Sequence, residues 1–193
     1  NLYTIKENVK RNKVIMKNIN GGMNRKKSKA GYFGEKYYDS LRELEKNVNL
    51  LYLKDVDTSS CKPDMYDEDL NQKLLKIQDE WLIPANKFIF VIPEYNGGMP
   101  GALKMFIDAI SIRKRSETFE GKKAAIVGVA AGRAGNLRGM EHLTGVLNYL
   151  GTIVLPNRQP YSSIYKLMDK QGNITDESTL NTIENHVTQI INF

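Results

Sequence analysis

Phe88-Ile89-Phe90-Val91-Ile92 runs straight into Pro93-Glu94-Tyr95-Asn96-Gly97-Gly98-Met99-Pro100-Gly101. The first part is an unbroken β-branched and aromatic run, the pattern of a strand covered on both faces. Pro93 ends it. A helix is expected from about Pro100, because proline suits the first helical turn. Ala102, Leu103, Phe106, Ile107 and Ile110 would form its buried face. Between strand and helix, Gly97 and Gly98 permit backbone conformations that let a flat ligand approach closely. Tyr95 and Asn96 could add a stacking surface and polar contacts.

The same strand-then-helix alternation extends in both directions. Val14–Asn20 reads as a strand, Gly21–Lys27 as a loop, and a helix then runs to about Lys46 with Ala30, Phe33, Tyr37, Leu41 and Leu44 on one face. Val48–Lys54 is a second strand. Beyond a polar stretch containing Pro63, Leu70, Leu74, Ile77 and Trp81 share a helical face, with Trp81 expected in the core. Ala124–Val129 is a fourth strand, and Leu137–Leu150 a helix closed by Gly151. Thr152–Leu155 is a fifth strand, and Ser178–Ile191 the last helix. Parallel neighbours need crossovers of this length, so the pattern predicts an α/β three-layer sandwich. A five-stranded parallel sheet of order 2-1-3-4-5 is expected, with ligands at the carboxyl ends of its strands.

Bulk properties narrow the function. The chain has 193 residues, 41% of them hydrophobic, enough for one substantial core. It contains no apolar run of about 18 residues, so no membrane span is expected, and a cytoplasmic protein is the default reading. Cys61 is the single cysteine, in a polar stretch, and reads as an ordinary loop thiol; His142 and His186 lie far apart. That inventory disfavours a disulfide framework, a metal centre and a Ser-His-Asp enzyme. The net charge is +6, yet residues 1–29 hold nine Lys/Arg against Glu7, leaving 19 basic and 21 acidic residues elsewhere. A local basic excess is not the long stripe with interleaved aromatics of a nucleic-acid binder.

Three loops follow strands one, three and four, where chemistry is expected. Gly21–Ser28 precedes a helix whose free N–H groups favour an anion. Ser28 is a plausible cap and Arg25 can grip a phosphate through two N–H bonds. Its spacing matches neither G-x-G-x-x-G nor G-x-x-x-x-G-K-[ST], so a single phosphomonoester fits best; a solvated basic loop is the alternative. Pro93–Gly101 is the second loop. The third, Ala130–Asn136, exposes backbone N–H groups suited to an electron-rich ring edge, although Gly-containing loops of this kind are common.

Pro93-Glu94-Tyr95-Asn96-Gly97-Gly98-Met99-Pro100-Gly101-Ala102-Leu103-Lys104, followed by Phe106-Ile107-Asp108, resembles the hallmark of the NADPH-dependent FMN reductase family, which includes quinone, azo-dye and chromate reductases. Asn24-Arg25-x-x-Ser28 is similar to that family's phosphate loop. Gly132-Arg133-Ala134-Gly135-Asn136-Leu137-Arg138, with Glu141-His142-Leu143, is similar to its third flavin loop. The resemblance implies a flavodoxin-like FMN-binding domain over residues 13–193, after an N-terminal extension (1–12) that is a candidate for disorder. It implies Asn24, Arg25, Ser28 and Lys29 at the FMN phosphate. It likewise implies Pro93, Glu94, Tyr95, Asn96 and Gly97 along the isoalloxazine, with Gly132, Arg133, Ala134 and Gly135 near its pyrimidine edge. The family often has Ser where this chain has Gly22, Thr or Asn where it has Ala30, and Ser where it has Ala130 or Ala131.

Further implications are NADPH or NADH as donor, a small-molecule acceptor, a homodimer or tetramer, and no catalytic side chain, since the flavin performs the hydride chemistry. The competing readings are a flavodoxin-type electron carrier, a phospho-receiver module and a flavin-free binding protein. The receiver lacks its acidic residues: Asn18, Asn20 and Pro93 stand in their places.

Overall fold

A computed structural model describes residues 14–18, 28–45, 47–53, 56 and 72–193, with 14–18 as backbone only. The N-terminal extension, the loop carrying Asn24 and Arg25, Cys61, Pro63 and Leu70 lie outside the described residues. The elements are β1 (Val14–Asn18), α1 (Lys29–Leu44), β2 (Val48–Tyr52), α2 (Gln72–Ile77), β3 (Lys87–Pro93), α3 (Gly101–Ile112), α4 (Arg115–Phe119), β4 (Lys123–Val129), α5 (Leu137–Tyr149), β5 (Ile153–Val154), β6 (Gln159–Tyr161) and α6 (Glu177–Asn192).

Among the described residues the sheet has six strands, in the order β2-β1-β3-β4-β5, with β6 also paired to β4. All pairings are parallel. The expected fifth strand is thus split: β5 pairs at Lys123 and Ala124, and β6 at Val127–Val129. Pro156-Asn157-Arg158 separates them. Pro160 is tolerated within β6 because an edge position leaves its missing N–H unneeded.

Side-chain alternation along β3 sends Phe88, Phe90 and Ile92 to one face and Ile89 and Val91 to the other. On the first face they meet Leu103, Phe106 and Ile110 of α3 and Met140, Leu143 and Leu147 of α5. On the second they meet Phe33, Tyr37 and Leu41 of α1 and Ile183, Val187 and Ile190 of α6. Leu44, expected on the buried face of α1, is 61% exposed, because nothing among the described residues covers that last turn. Trp81 packs against the first core, as its spacing predicts. It sits in a π-helical turn (Gln78–Leu82) that continues α2. There the buried Gln78 amide lies within hydrogen-bond distance of the Ile110 and Arg113 carbonyls and of Thr118 Oγ1.

A buried polar chain joins α1, β6 and α6. His186 Nε2 lies 3.0 Å from the Asn157 carbonyl, which can only accept, so Nε2 carries the hydrogen. Nδ1 therefore accepts from the Tyr37 hydroxyl at 2.8 Å, and the Tyr161 hydroxyl donates to Tyr37 at 3.0 Å. Burial pushes His186 below its usual value, partly offset by its bond to Asn157. Burial pushes both tyrosines up.

Two contacts fix α5 against the turn after β3. Asn136 caps α5 from a left-handed backbone (φ 66°) and donates from Nδ2 to the Ile92 carbonyl at 3.0 Å. Gly139, one turn on, lies so close that a Cβ there would stand 2.1 Å from Asn136 Oδ1 and 2.9 Å from the Gly98 carbonyl carbon. Gly151 (φ 83°) then ends the helix: its N–H reaches the Asn148 carbonyl, and the Thr152 N–H reaches Leu147.

These contacts make two predictions. Gly139→Ala destabilises by roughly 1–3 kcal/mol through overpacking. Gly145→Ala, where a Cβ meets nothing within 4 Å, gains about 1 kcal/mol of helix propensity. Urea midpoints should move in opposite directions. For His186, unfolding raises the pKa to about 6.5, so the unfolded chain binds a proton that the native chain refuses. Stability is therefore full above about pH 6.5 and falls as pH drops from there toward the native value. In His186→Gln the decline in melting temperature between pH 6.5 and 4.5 should flatten, even with a lower starting value.

Candidate functional site

At the carboxyl end of the sheet, Ser28, Lys29, Ala30, Pro93, Glu94, Tyr95, Val129, Ala130, Ala131, Ile164 and Tyr165 line one cleft. Its first wall is the turn after β3. The Glu94 N–H still reaches the Val129 carbonyl (3.2 Å), and Tyr95 and Gly98 then exchange two backbone bonds of 3.0 and 2.9 Å. Asn96 (φ 50°) and Gly97 (φ 74°) form the two-residue tip. Left-handed backbone at both central positions is the type I′ condition, which Asn-Gly meets with little strain. Met99 is buried behind the turn, and Pro100 caps α3 rather than opening it.

The second wall is the start of α1. Ser28 is its N-cap, but the hydroxyl makes no capping bond, and no acid lies in the first turn. Lys29 is the first helical residue instead, with Nζ 5.3 Å from the centre of the Tyr32 ring. The backbone N–H groups of Lys29 and Ala30 have no partner among the described residues. A helix start of this kind carries partial positive charge and unfilled donors.

Ala130 and Ala131 form the third wall. The Ala130 N–H is bound to the Tyr161 carbonyl, while those of Ala131 and Gly132 are unpaired among the described residues. The chain then turns away: Gly135 (φ 60°) packs against Pro160, where a Cβ would come within 2.8 Å. Gly132, Arg133, Ala134 and Gly135 do not line the cleft, nor do Asn96 and Gly97. Asn24 and Arg25 lie outside the described residues.

Of the residues named from sequence, Ser28, Lys29, Pro93, Glu94 and Tyr95 come together. Val129, Ile164 and Tyr165 also line the cleft without being named from sequence, and Ala30, Ala130 and Ala131 stand out in the sequence only as departures from the family's loops. The two alanines carry a signal, being small residues at a strand end; Ile164 and Tyr165 carry none. A larger groove, about 490 Å³, lies between α3 and α5 and includes Ile107, Val146 and Tyr149. Its Lys104 and Asp108 are paired with each other, and it lacks the converging free N–H groups of the cleft. Among the described residues no cluster of His, Cys, Asp or Glu could hold a metal ion, and no helix is long and apolar enough to cross a membrane.

Comparison with known proteins agrees with this fold. Over 108 residues the chain is 38% identical to an NAD(P)H-dependent FMN reductase of Pseudomonas aeruginosa, covering 54% of this chain and 57% of that protein. Over 115 residues it is 31% identical to a 2-hydroxy-1,4-benzoquinone reductase of a Burkholderia species, covering 59% and 62%. These matches span less than two thirds of either relative. FerB, a flavoenzyme NAD(P)H:(acceptor) oxidoreductase from Paracoccus denitrificans, superposes with a TM-score of 0.72 at 22% identity, covering 93% of this chain and 96% of that one. A flavodoxin, WrbA-like protein from Agrobacterium tumefaciens superposes at 0.62 and 17% identity, covering 94% and 96%. At such identities the structures show the fold, which is flavodoxin-like. The family model for NADPH-dependent FMN reductase matches residues 19–166, most of the chain, and the protein belongs to that family.

Proposed function

We propose that the protein is an FMN-dependent oxidoreductase that takes two electrons from NADPH or NADH and delivers them to a small acceptor such as a quinone. The observation that carries this reading is the start of α1: an unfilled N-terminus with a cation in its first turn, opening onto a cleft at the carboxyl end of the sheet. That is an anion site, and a single phosphomonoester suits it. The names of the Pseudomonas and Burkholderia relatives support the same assignment.

The residues present fit the cofactor. The Lys29 and Ala30 N–H groups and the uncapped Ser28 hydroxyl would hold the phosphate, joined by Asn24 and Arg25. Pro93, Glu94 and Tyr95 would border the ring from one side and Ala130 and Ala131 from the other, with the Ala131 N–H group, unpaired among the described residues, facing an electron-rich edge. FMN bound there supplies a two-electron centre that accepts hydride from a nicotinamide. The chain orients donor and acceptor in turn at one open mouth, a ping-pong arrangement, and no side chain needs to act as acid or base. The net reaction with a quinone is NAD(P)H + H⁺ + quinone → NAD(P)⁺ + hydroquinone.

Titration with FMN tests the reading. The protein should develop bound-flavin absorbance that anaerobic NADPH bleaches; no flavin bands after adding FMN would overturn it. Arg25→Ala should weaken FMN binding about tenfold or more, the scale of a lost charge-assisted bond. Ser28→Ala should lose less. Riboflavin, which lacks the phosphate, should bind parent and variants alike.

A further inference from the structure

Tyr165 is 65% exposed, yet it is held in place. It lies in a 3₁₀ turn (Ile164–Lys166) after β6, entered through Ser163 in a left-handed conformation at φ 49°. Such backbone in a non-glycine residue costs of order 1 kcal/mol or more and persists only where its surroundings fix it. Here they do. The Ser163 N–H donates to the Gly132 carbonyl at 3.1 Å, and the Ile164 N–H to the Ala130 carbonyl at 3.4 Å. The Ile164 side chain is buried in the second core, and Leu167 N–H closes the turn on the Ile164 carbonyl at 3.1 Å. The third loop and the 3₁₀ turn are therefore one unit, and it presents Tyr165 to the same cleft that Tyr95 borders from the turn after β3.

Tyr95 and Tyr165 are the aromatic residues lining that cleft among the described residues, and both are exposed. The other lining side chains are small or aliphatic, apart from Ser28 and Lys29 at the α1 end and Glu94. Ser28, Lys29 and the Lys29 and Ala30 N–H groups, unpaired among the described residues, lie at the α1 end, whereas the two rings belong to other walls of the cleft. A planar ring stacks on such faces with a preferred offset geometry, whereas a compact ion gains nothing from them.

We infer that Tyr165, which lines the cleft together with Tyr95, is a specificity-determining residue that stacks the second substrate and selects planar aromatic acceptors of the quinone class. This rests on the FMN reading above. The quinone gains two electrons from NAD(P)H together with two protons, one carried with the hydride and one from water, and leaves as the hydroquinone. Ferricyanide gives the contrast: it has no ring face, and two ions each take one electron per NAD(P)H.

The test compares the parent protein, Tyr165→Ala and Tyr165→Phe, each loaded with FMN, using menadione and ferricyanide as acceptors. Tyr165→Ala should raise KM for menadione about three- to tenfold, the range of a lost aromatic pair. KM for ferricyanide, KM for NADPH and FMN affinity should each stay within about twofold. Tyr165→Phe, which keeps the ring and loses the hydroxyl, should behave like the parent. The inference is overturned if both acceptors are affected alike, if menadione is unaffected, if KM for NADPH rises instead, or if FMN affinity falls with the ring. FMN titration of the parent separates the two levels. A parent that binds no FMN overturns the functional reading and this inference together, whereas a parent that binds and turns over with an unselective Tyr165→Ala overturns the inference alone.

Discussion

Strand β3 has a neighbour on each edge, β1 and β4, and helices over each face, so its residues Phe88–Ile92 are almost wholly withdrawn from water. Burial of that kind is worth about 25 cal/mol for each Å² of apolar surface removed, the largest favourable contribution such a segment can make. It also leaves no freedom of register. A slip of one residue would exchange Phe88, Phe90 and Ile92 for Ile89 and Val91 between two cores of different shape. Everything near the cleft inherits its position from this constraint, because Pro93 ends the strand at a fixed height beside Val129 of β4.

From that fixed end the irregular backbone is placed by a few contacts rather than by flexibility. The Asn136 amide holds the Ile92 carbonyl, the close approach at Gly139 seats the Gly98 backbone, and reciprocal bonds between Tyr95 and Gly98 set the tip. Among the described residues Asn136 Oδ1 has no hydrogen-bond partner, though the residue is fully buried. An unpaired buried acceptor costs roughly 1–3 kcal/mol. Its retention marks the joint between α5 and the turn as a place where geometry outranks local stability.

What could be read from the chain follows the same physics. Long apolar runs and helical periodicity are strong signals, so β3, β4, α3, α5 and α6 fall within a residue or two of expectation. Thr152–Leu155 read as one strand because Ile153, Val154 and Leu155 are apolar; the continuation at Gln159–Tyr161, three residues with a proline inside, has no periodic signal at all. Tyr165 is invisible for a related reason: its position depends on bonds from Ser163 and Ile164 to a loop some thirty residues earlier. The third loop shows how a glycine can be read in two ways. Its glycines suggest ligand contact, but Gly135 is needed for close packing on Pro160, and the alanines before it face the cleft. A glycine signals a tight approach without saying to what.

The two longest helices among the described residues, both of 16 residues, sharpen the point about the cleft. Helix α6 begins with Asp176 accepting from the Thr179 N–H and with Glu177 in its first turn, the arrangement that satisfies donors and opposes the helix dipole. Helix α1 has neither: the side chain of its N-cap serine makes no capping bond, and its first residue is a lysine. In isolation each omission costs some tenths of a kcal/mol to about 1 kcal/mol. An anion seated on α1 reverses both signs at once, filling the donors and neutralising the lysine. The fold can therefore build a well-capped helix where stability alone matters, and it leaves without a side-chain cap the one that opens onto the cleft.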